Sequence, residues 1–261
     1  MNVRPPRLTV GLVSALLRYM AQNIYDRPDF FAGYSQMGRS LYGLEGATEW
    51  QSMRAMLPDL GGQRVVDLGC GFGWFCRWAR ENGAAEVRGI DVSEKMLTRA
   101  KAMTVDEGIA YERDNLERLE LPEDSFDLAY SSLALHYLED AGRLFGVVYR
   151  ALASGGSFVF STEHPIYMAP TKPAWSVDAE GRKIWPLDRY LVEGPRTTDW
   201  VAPGVVKYHR TLGTTLNLLM GAGFTIRRVE EFSPTAEQIA ARPELKEELE
   251  RPMFLLVAAG R

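Results

Sequence analysis

Apolar positions recur along this chain in two rhythms, and their alternation gives the order of its elements. Val65, Val66 and Leu68 form a run that reads as the end of a buried strand, and residues 74–82 read as a helix that Gly83 stops. A second apolar strand, 86–90, ends at Asp91; Ser93 can cap a helix running to about Met103, with Glu94 against its positive end. Residues 109–113 read as a third strand, 126–132 as a fourth, and 138–152 as a helix with apolar positions at helical spacing. Ser154, Gly155 and Gly156 turn the chain into a fifth strand over 157–162. Strands alternating with helices imply a parallel sheet with helices on both faces, whose ligands lie beyond the carboxyl ends of the strands. Asp67, Asp91, Asp114, Ser131 and Glu163 all fall at such ends.

Between Glu163 and Val206 the rhythm is lost. Prolines, tryptophans and tyrosines crowd segments such as 164–167 and 183–186 without a period, and so long an irregular stretch inside a domain is usually functional. Regular pattern resumes with a helix over 211–222, a strand over 225–232 and a last strand over 254–259.

Composition narrows the setting. A chain of 261 residues with 46% hydrophobic content has enough apolar residues for a full core, and 30 basic against 34 acidic residues, without blocks of like charge, give no pull toward nucleic acid or an anionic membrane. Two cysteines, Cys70 and Cys76, argue against a disulfide scaffold and for a reducing cytoplasm. Arg4 and Arg7 precede an apolar stretch, 8–17, too short to span a bilayer, so residues 1–19 are expected to be a leader, a disordered extension or an added helix. A single domain is then expected over 20–261, with an N-terminal cover over 20–60 and an insertion over 164–207.

The most specific chemistry sits after the first strand. Gly69, Gly71 and Gly73 alternate there, and a side chain at any of them would hold the backbone off a ligand or forbid a positive φ. The Asp91 carboxylate, at the end of the next strand, can accept from both hydroxyls of a ribose. A dinucleotide fingerprint would need a third glycine where Trp74 stands, and an indole is a poor neighbour for a pyrophosphate. A nicotinamide oxidoreductase is disfavoured on that ground.

This D-x-G-x-G-x-G pattern, coupled to Asp91, resembles the class I S-adenosylmethionine-dependent methyltransferases of the small-molecule type. The resemblance implies a seven-stranded Rossmann-like sheet, mostly parallel with an antiparallel last strand and helices on both faces. It implies S-adenosylmethionine as cofactor, with Asp67 near the ammonium, Gly69, Gly71 and Gly73 along the methionine portion, and Asp91 on the ribose. By the same resemblance Val92 and Met96 pack on the adenine, Asp114 accepts its amino group beside Asn115 and Leu116, and Ser131 opens the segment next to the reacting methyl. Upstream, Tyr34 and Arg39 match the tyrosine and basic side chain that close over the cofactor.

Methyl transfer needs an in-line nucleophile, and a base only if the acceptor arrives protonated. Each of the chain's three histidines, His136, His164 and His209, falls where a pocket is expected, and His164 is the first choice as base. Glu163 can orient His164 or bind an acceptor amine, and Tyr167, Trp175, Trp185 and Tyr208 are candidates for an aromatic acceptor wall. No spacing suggests a metal site apart from the adjacent Glu163 and His164. The function expected is methyl transfer to oxygen or nitrogen of a small-molecule acceptor. A non-methyl transfer or cyclisation in the same pocket, or a non-catalytic cofactor-binding role, stays open, as do the acceptor's identity and the oligomeric state.

Overall fold

A computed structural model describes residues 22–261; the leader expected over 1–19 lies outside the described residues. Five strands follow in the expected places: β1 Arg64–Leu68, β2 Glu86–Asp91, β3 Ile109–Arg113, β4 Phe126–Ser132 and β5 Leu152–Glu163. The irregular stretch carries four short strands: β6 Ser176–Val177, β7 Lys183–Ile184, β8 Gly194–Thr198 and β9 Val205–His209. The chain ends with β10 Thr225–Glu231 and β11 Phe254–Gly260. The main sheet has seven strands in the order β10-β11-β5-β4-β1-β2-β3, with β11 antiparallel to both neighbours and β1 to β5 parallel. Strand order reverses between β1 and β4, and such a switch point opens a crevice at the carboxyl ends.

Period-two alternation in the central strands feeds two cores. Phe158 and Phe160 of β5 and Leu255, Val257 and Ala259 of β11 face one side, where they meet the helices Ala141–Ala151 and Leu212–Gly221. Val159, Leu256 and Ala258 face the other, against Met53, Phe75, Ala79 and Leu97. Each fully buried phenylalanine here contributes roughly 1.5–3 kcal/mol. No described helix is long and apolar enough to cross a membrane.

Two expectations need correction. The helix expected from 138 begins only at Ala141, because Asp140 accepts the amide of Arg143 at 2.9 Å and caps it there, while Leu135–Tyr137 forms a separate 3-10 turn. The stretch over 164–207 is not unstructured: it holds a short helix, Pro165–Met168, and two antiparallel hairpins, β6-β7 and β8-β9. The two-residue strands β6 and β7 are too short to impose a visible period, and β8 buries no position that could mark one.

The N-terminal segment and the insertion pack on each other. Ile24 and Phe30 share a small core with Ala202 and Val205, ringed by Tyr25, Tyr34, Tyr137 and Trp200. Asp26 fastens this layer to the sheet: its carboxylate accepts from the Ser93 hydroxyl at 2.6 Å and from the Lys95 amide at 3.1 Å, at the start of the helix Glu94–Ala102. The Gln22 side chain accepts from the Val206 amide at 2.8 Å and donates to the Gly204 carbonyl at 2.9 Å.

Candidate active site

A cleft opens where the switch point puts it, beyond the carboxyl ends of β1, β2, β4 and β5. Its floor begins at the glycine loop. Gly69 and Gly71 line it, and at Gly71, with φ +53°, a Cβ would find only open space, so the backbone is bare toward a ligand. Asp91 lines the cleft as well. One of its carboxylate oxygens accepts from the Gly71 amide at 2.9 Å and the other from the Ser93 amide at 2.8 Å. Burial raises its pKa while these two donors pull the other way. A carboxylate accepts about four hydrogen bonds, so both oxygens keep lone pairs for a pair of hydroxyls. Val92 and Met96 continue the wall, and Asn115 and Leu116 face it from the turn after β3.

Four residues expected at the cofactor do not line the cleft. Gly73 has φ +69°, and a Cβ there would strike the Tyr111 hydroxyl, so packing against β3 already requires glycine at this position. Asp67 lies beneath the loop, accepting from the Cys76 thiol at 3.2 Å, and burial pushes its carboxyl up to about 7 against that bond. The Ser131 hydroxyl donates to the Leu68 carbonyl at 2.7 Å and ties β4 to β1, so that Ser132, the next residue, reaches the cleft instead. Asp114 accepts the Asn115 amide at 2.6 Å and shapes the turn that presents Asn115 and Leu116. Trp74 packs beneath Gly43, away from the cleft.

Tyr34 and Arg39 both reach the cleft from the N-terminal layer. Arg39 donates from one nitrogen to both oxygens of the buried Glu49, at 2.9 and 3.1 Å, so the cation arrives with its own counter-charge.

The three histidines are not equivalent. His164, expected as the base, is buried with both nitrogens engaged: Nδ1 accepts the Ile166 amide at 3.1 Å, and Nε2 donates to Glu231 at 2.8 Å. It caps the short helix after β5 and does not line the cleft. His209 donates from Nε2 to the Tyr190 carbonyl at 2.8 Å and is likewise outside it. Only His136 lines the cleft. Its Nδ1 accepts the Glu163 amide at 3.4 Å, which puts the ring proton on Nε2, and burial, reinforced by Lys207, Arg210 and Arg39, holds its pKa well below the usual histidine value.

Of the expected aromatic wall, Tyr167 lines the cleft together with Glu163, whereas Trp175, Trp185 and Tyr208 do not. Trp175 and Trp185 join Tyr167 in a cage around the Arg251 guanidinium, with ring centroids 5.2, 4.5 and 4.7 Å from it. Trp200, Tyr25 and Tyr137 complete the wall and were not singled out in the sequence. Lys207, also missed, is buried and ion-paired with Glu163. A signal for it existed, since Lys207 stands two residues from both Val205 and His209 on the buried face of β9.

A doubly wound sheet with a bare glycine turn and a strand-end carboxylate defines a nucleoside-binding α/β protein. The methyltransferase-domain family model matches residues 66–160. The crystal structure of an S-adenosylmethionine-dependent methyltransferase from Mesorhizobium loti superposes with a TM-score of 0.82 at 69% identity, covering 84% of this chain and 100% of that one. A protein of unassigned function from Haemophilus influenzae is 34% identical over 247 residues, 92% of this chain and 97% of its own. A malonyl-[acyl-carrier protein] O-methyltransferase of Erwinia billingiae is 36% identical over 115 residues, 44% of each chain. The chain belongs to the S-adenosylmethionine-dependent methyltransferases.

The residues present suit that cofactor. The open approach at Gly71, the spare lone pairs of Asp91 and the apolar faces of Val92 and Met96 match a phosphate-free nucleoside. When bound, S-adenosylmethionine supplies an electrophilic methyl group on a sulfonium.

Proposed function

We propose that this enzyme methylates an oxygen or nitrogen of a small-molecule acceptor. The observation that carries the reading is the continuity of the cleft, which runs from Asp91 past Tyr34 and Arg39 to a far end walled by His136, Tyr137, Glu163, Tyr167 and Trp200. In this reading Asp91 takes the ribose hydroxyls, Val92, Met96, Asn115 and Leu116 hold the adenine, and Tyr34 and Arg39 close over the methionine end. The far end then receives the acceptor. The N-terminal layer and the 164–207 insertion form the cover that excludes water and holds the acceptor in line, where proximity supplies much of the acceleration.

Two buried, unpaired thiols suit a reducing cytoplasm. The net charge of −4, without basic runs, favours a small molecule over nucleic acid as partner. Incubation with methyl-labelled S-adenosylmethionine and a panel of small amines, alcohols, phenols and carboxylic acids tests the reading. Labelled product with matching S-adenosylhomocysteine supports it, whereas cofactor consumed with any fragment other than methyl transferred would replace it.

A further inference from the structure

If the acceptor is an amine or alcohol, a proton must leave it, and no histidine is poised to take one. His164 and His209 do not line the cleft, and His136 presents a protonated Nε2. Besides Asp91, two carboxylates line the cleft: Glu117, whose oxygens accept the Glu139 and Asp140 amides, and Glu163 at the far end. Glu163, at the last position of β5, lines the cleft and also a second chamber, enclosed by β8, β9 and the segment after the short helix, whose wall reaches the exposed Lys172. The chambers share Glu163, Tyr167 and Trp200, so Glu163 stands at their junction.

Lys207 approaches Glu163 from the second chamber. Its ammonium is ion-paired with the carboxylate and lies 4.6 Å from the Trp200 ring centroid and 6.0 Å from that of Tyr137. The side chains are 2% and 10% exposed for Lys207 and Glu163 respectively, which makes this a buried pair. Taking two charges out of water costs several kcal/mol per ion, and a hydrophobic pair would serve stability as well, so a buried pair at a ligand cavity calls for another role.

We propose that Glu163 is the catalytic proton acceptor of the methyl-transfer step and Lys207 the positioning residue that keeps its carboxylate ionised and aimed. The proposal rests on the reading that the cleft methylates a small molecule, and it makes the acceptor one that carries an N–H or O–H when it binds. The acceptor's lone pair forms the bond to the methyl carbon as the carbon–sulfur bond breaks and its electron pair stays on sulfur. The acceptor's proton passes to a Glu163 oxygen and then to solvent by way of the second chamber. One proton is released for each methyl gained.

The groups facing Glu163 set its titration. Burial raises its pKa, while Lys207 first and Arg39 second oppose the rise. Tyr137, Tyr167 and His136 also face it, and all three are neutral near pH 7: burial raises both phenols, Tyr167 to about 12, and lowers the imidazole. A base must be deprotonated to act, so turnover should rise with pH through the Glu163 pKa. Removing Lys207 should push that limb to higher pH by about one unit or more, as loss of a neighbouring opposite charge does.

The test uses the full chain, with wild type, Glu163→Gln, Glu163→Asp and Lys207→Met, and the best acceptor from the labelled panel. Glu163→Gln should lower kcat about a hundredfold or more, with the S-adenosylhomocysteine Kd within about threefold, which also reports an intact fold. Glu163→Asp should restore part of the rate, and Lys207→Met should displace the limb upward. A readout without turnover accompanies this: infrared difference titration of the Glu163 carboxyl in the S-adenosylhomocysteine complex, subtracting Glu163→Gln, should show its midpoint moving up in Lys207→Met. Near-normal kcat in Glu163→Gln would overturn the proposal and mean that the acceptor arrives as an anion. A midpoint unmoved by Lys207→Met would also overturn it. If no panel member is methylated although S-adenosylhomocysteine binds, the acceptor reading fails by itself, and the infrared titration still decides the Glu163–Lys207 coupling.

Discussion

Asp67 and Asp91 end neighbouring strands, and burial raises the pKa of both, yet the two carboxylates do different work. Asp91 has two amide donors and a face on the cleft, while Asp67 has one weak thiol donor and none. The unfolded chain gives up the Asp67 proton in the ordinary carboxylate range, the folded chain only at about 7, so across that window the native state holds the extra proton. Stability should therefore fall as pH rises through it, by at most about 1.4 kcal/mol per pH unit for one proton. Urea unfolding of wild type and Asp67→Asn at pH 5 and pH 7 measures this: the variant should gain on wild type at pH 7, and an equal difference at both values would show that Asp67 titrates normally. His164 makes the complementary case. Its two bonds hold the turn after β5 to β10, so His164→Ala should cost roughly 1–3 kcal/mol in denaturant unfolding and leave the pH limb of turnover in place. Loss of that limb would return the base to His164. Sequence position put this histidine directly after β5, next to Glu163, but could not give its orientation, which depends on a Glu231 located 67 residues away.

The central sheet strands β1, β2, β4, β5 and β11 were legible because each buries at least one full face, and burial writes a period into the sequence. Val65, Val66 and Leu68, Phe158 to Phe160 and Leu255 to Ala259 could not be polar and still build the two cores. The insertion hid its elements because its energy lies in rings and cations from separate segments. Arg251, just before β11, sits within 5.2 Å of the ring centroids of Trp175, Trp185 and Tyr167, and donates to Glu248 at 2.7 Å. Each such cation–ring contact, when desolvated, is worth up to about 2 kcal/mol. Since Tyr167 also lines the cleft, the cage fastens the cleft wall to the C-terminal segment. Arg251→Ala should speed amide exchange over residues 165–185 while leaving S-adenosylhomocysteine affinity within about threefold; unchanged exchange there would mean that the rings hold one another without the cation.

For the whole molecule, the division runs between the doubly wound sheet and the layer above it. The sheet supplies Gly71 and Asp91 on rigid elements, and the layer supplies Tyr34, Arg39, Tyr167 and Trp200 from segments far apart in the chain. Because Ile24 and Phe30 share a core with Ala202 and Val205, the two segments should respond as one unit. S-adenosylhomocysteine is expected to slow amide exchange over 24–42 and 200–209 together, and protection confined to the first segment would separate them. From sequence both are expected to contribute to one cover, but the contacts between them could not be named, since neither has a repeating pattern that points to the other.

Gln22 gives this layer one more property. The β8-β9 hairpin is a two-stranded ribbon, and its outer strand presents the Val206 amide and the Gly204 carbonyl away from β8. An unpaired strand edge is a template on which a second polypeptide can add itself, the usual beginning of domain exchange and aggregation. The Gln22 carboxamide, with one acceptor and one donor, fills both positions as a neighbouring peptide group would. A single side chain thus fills two hydrogen-bonding positions that a neighbouring peptide group would otherwise take along this edge of the ribbon.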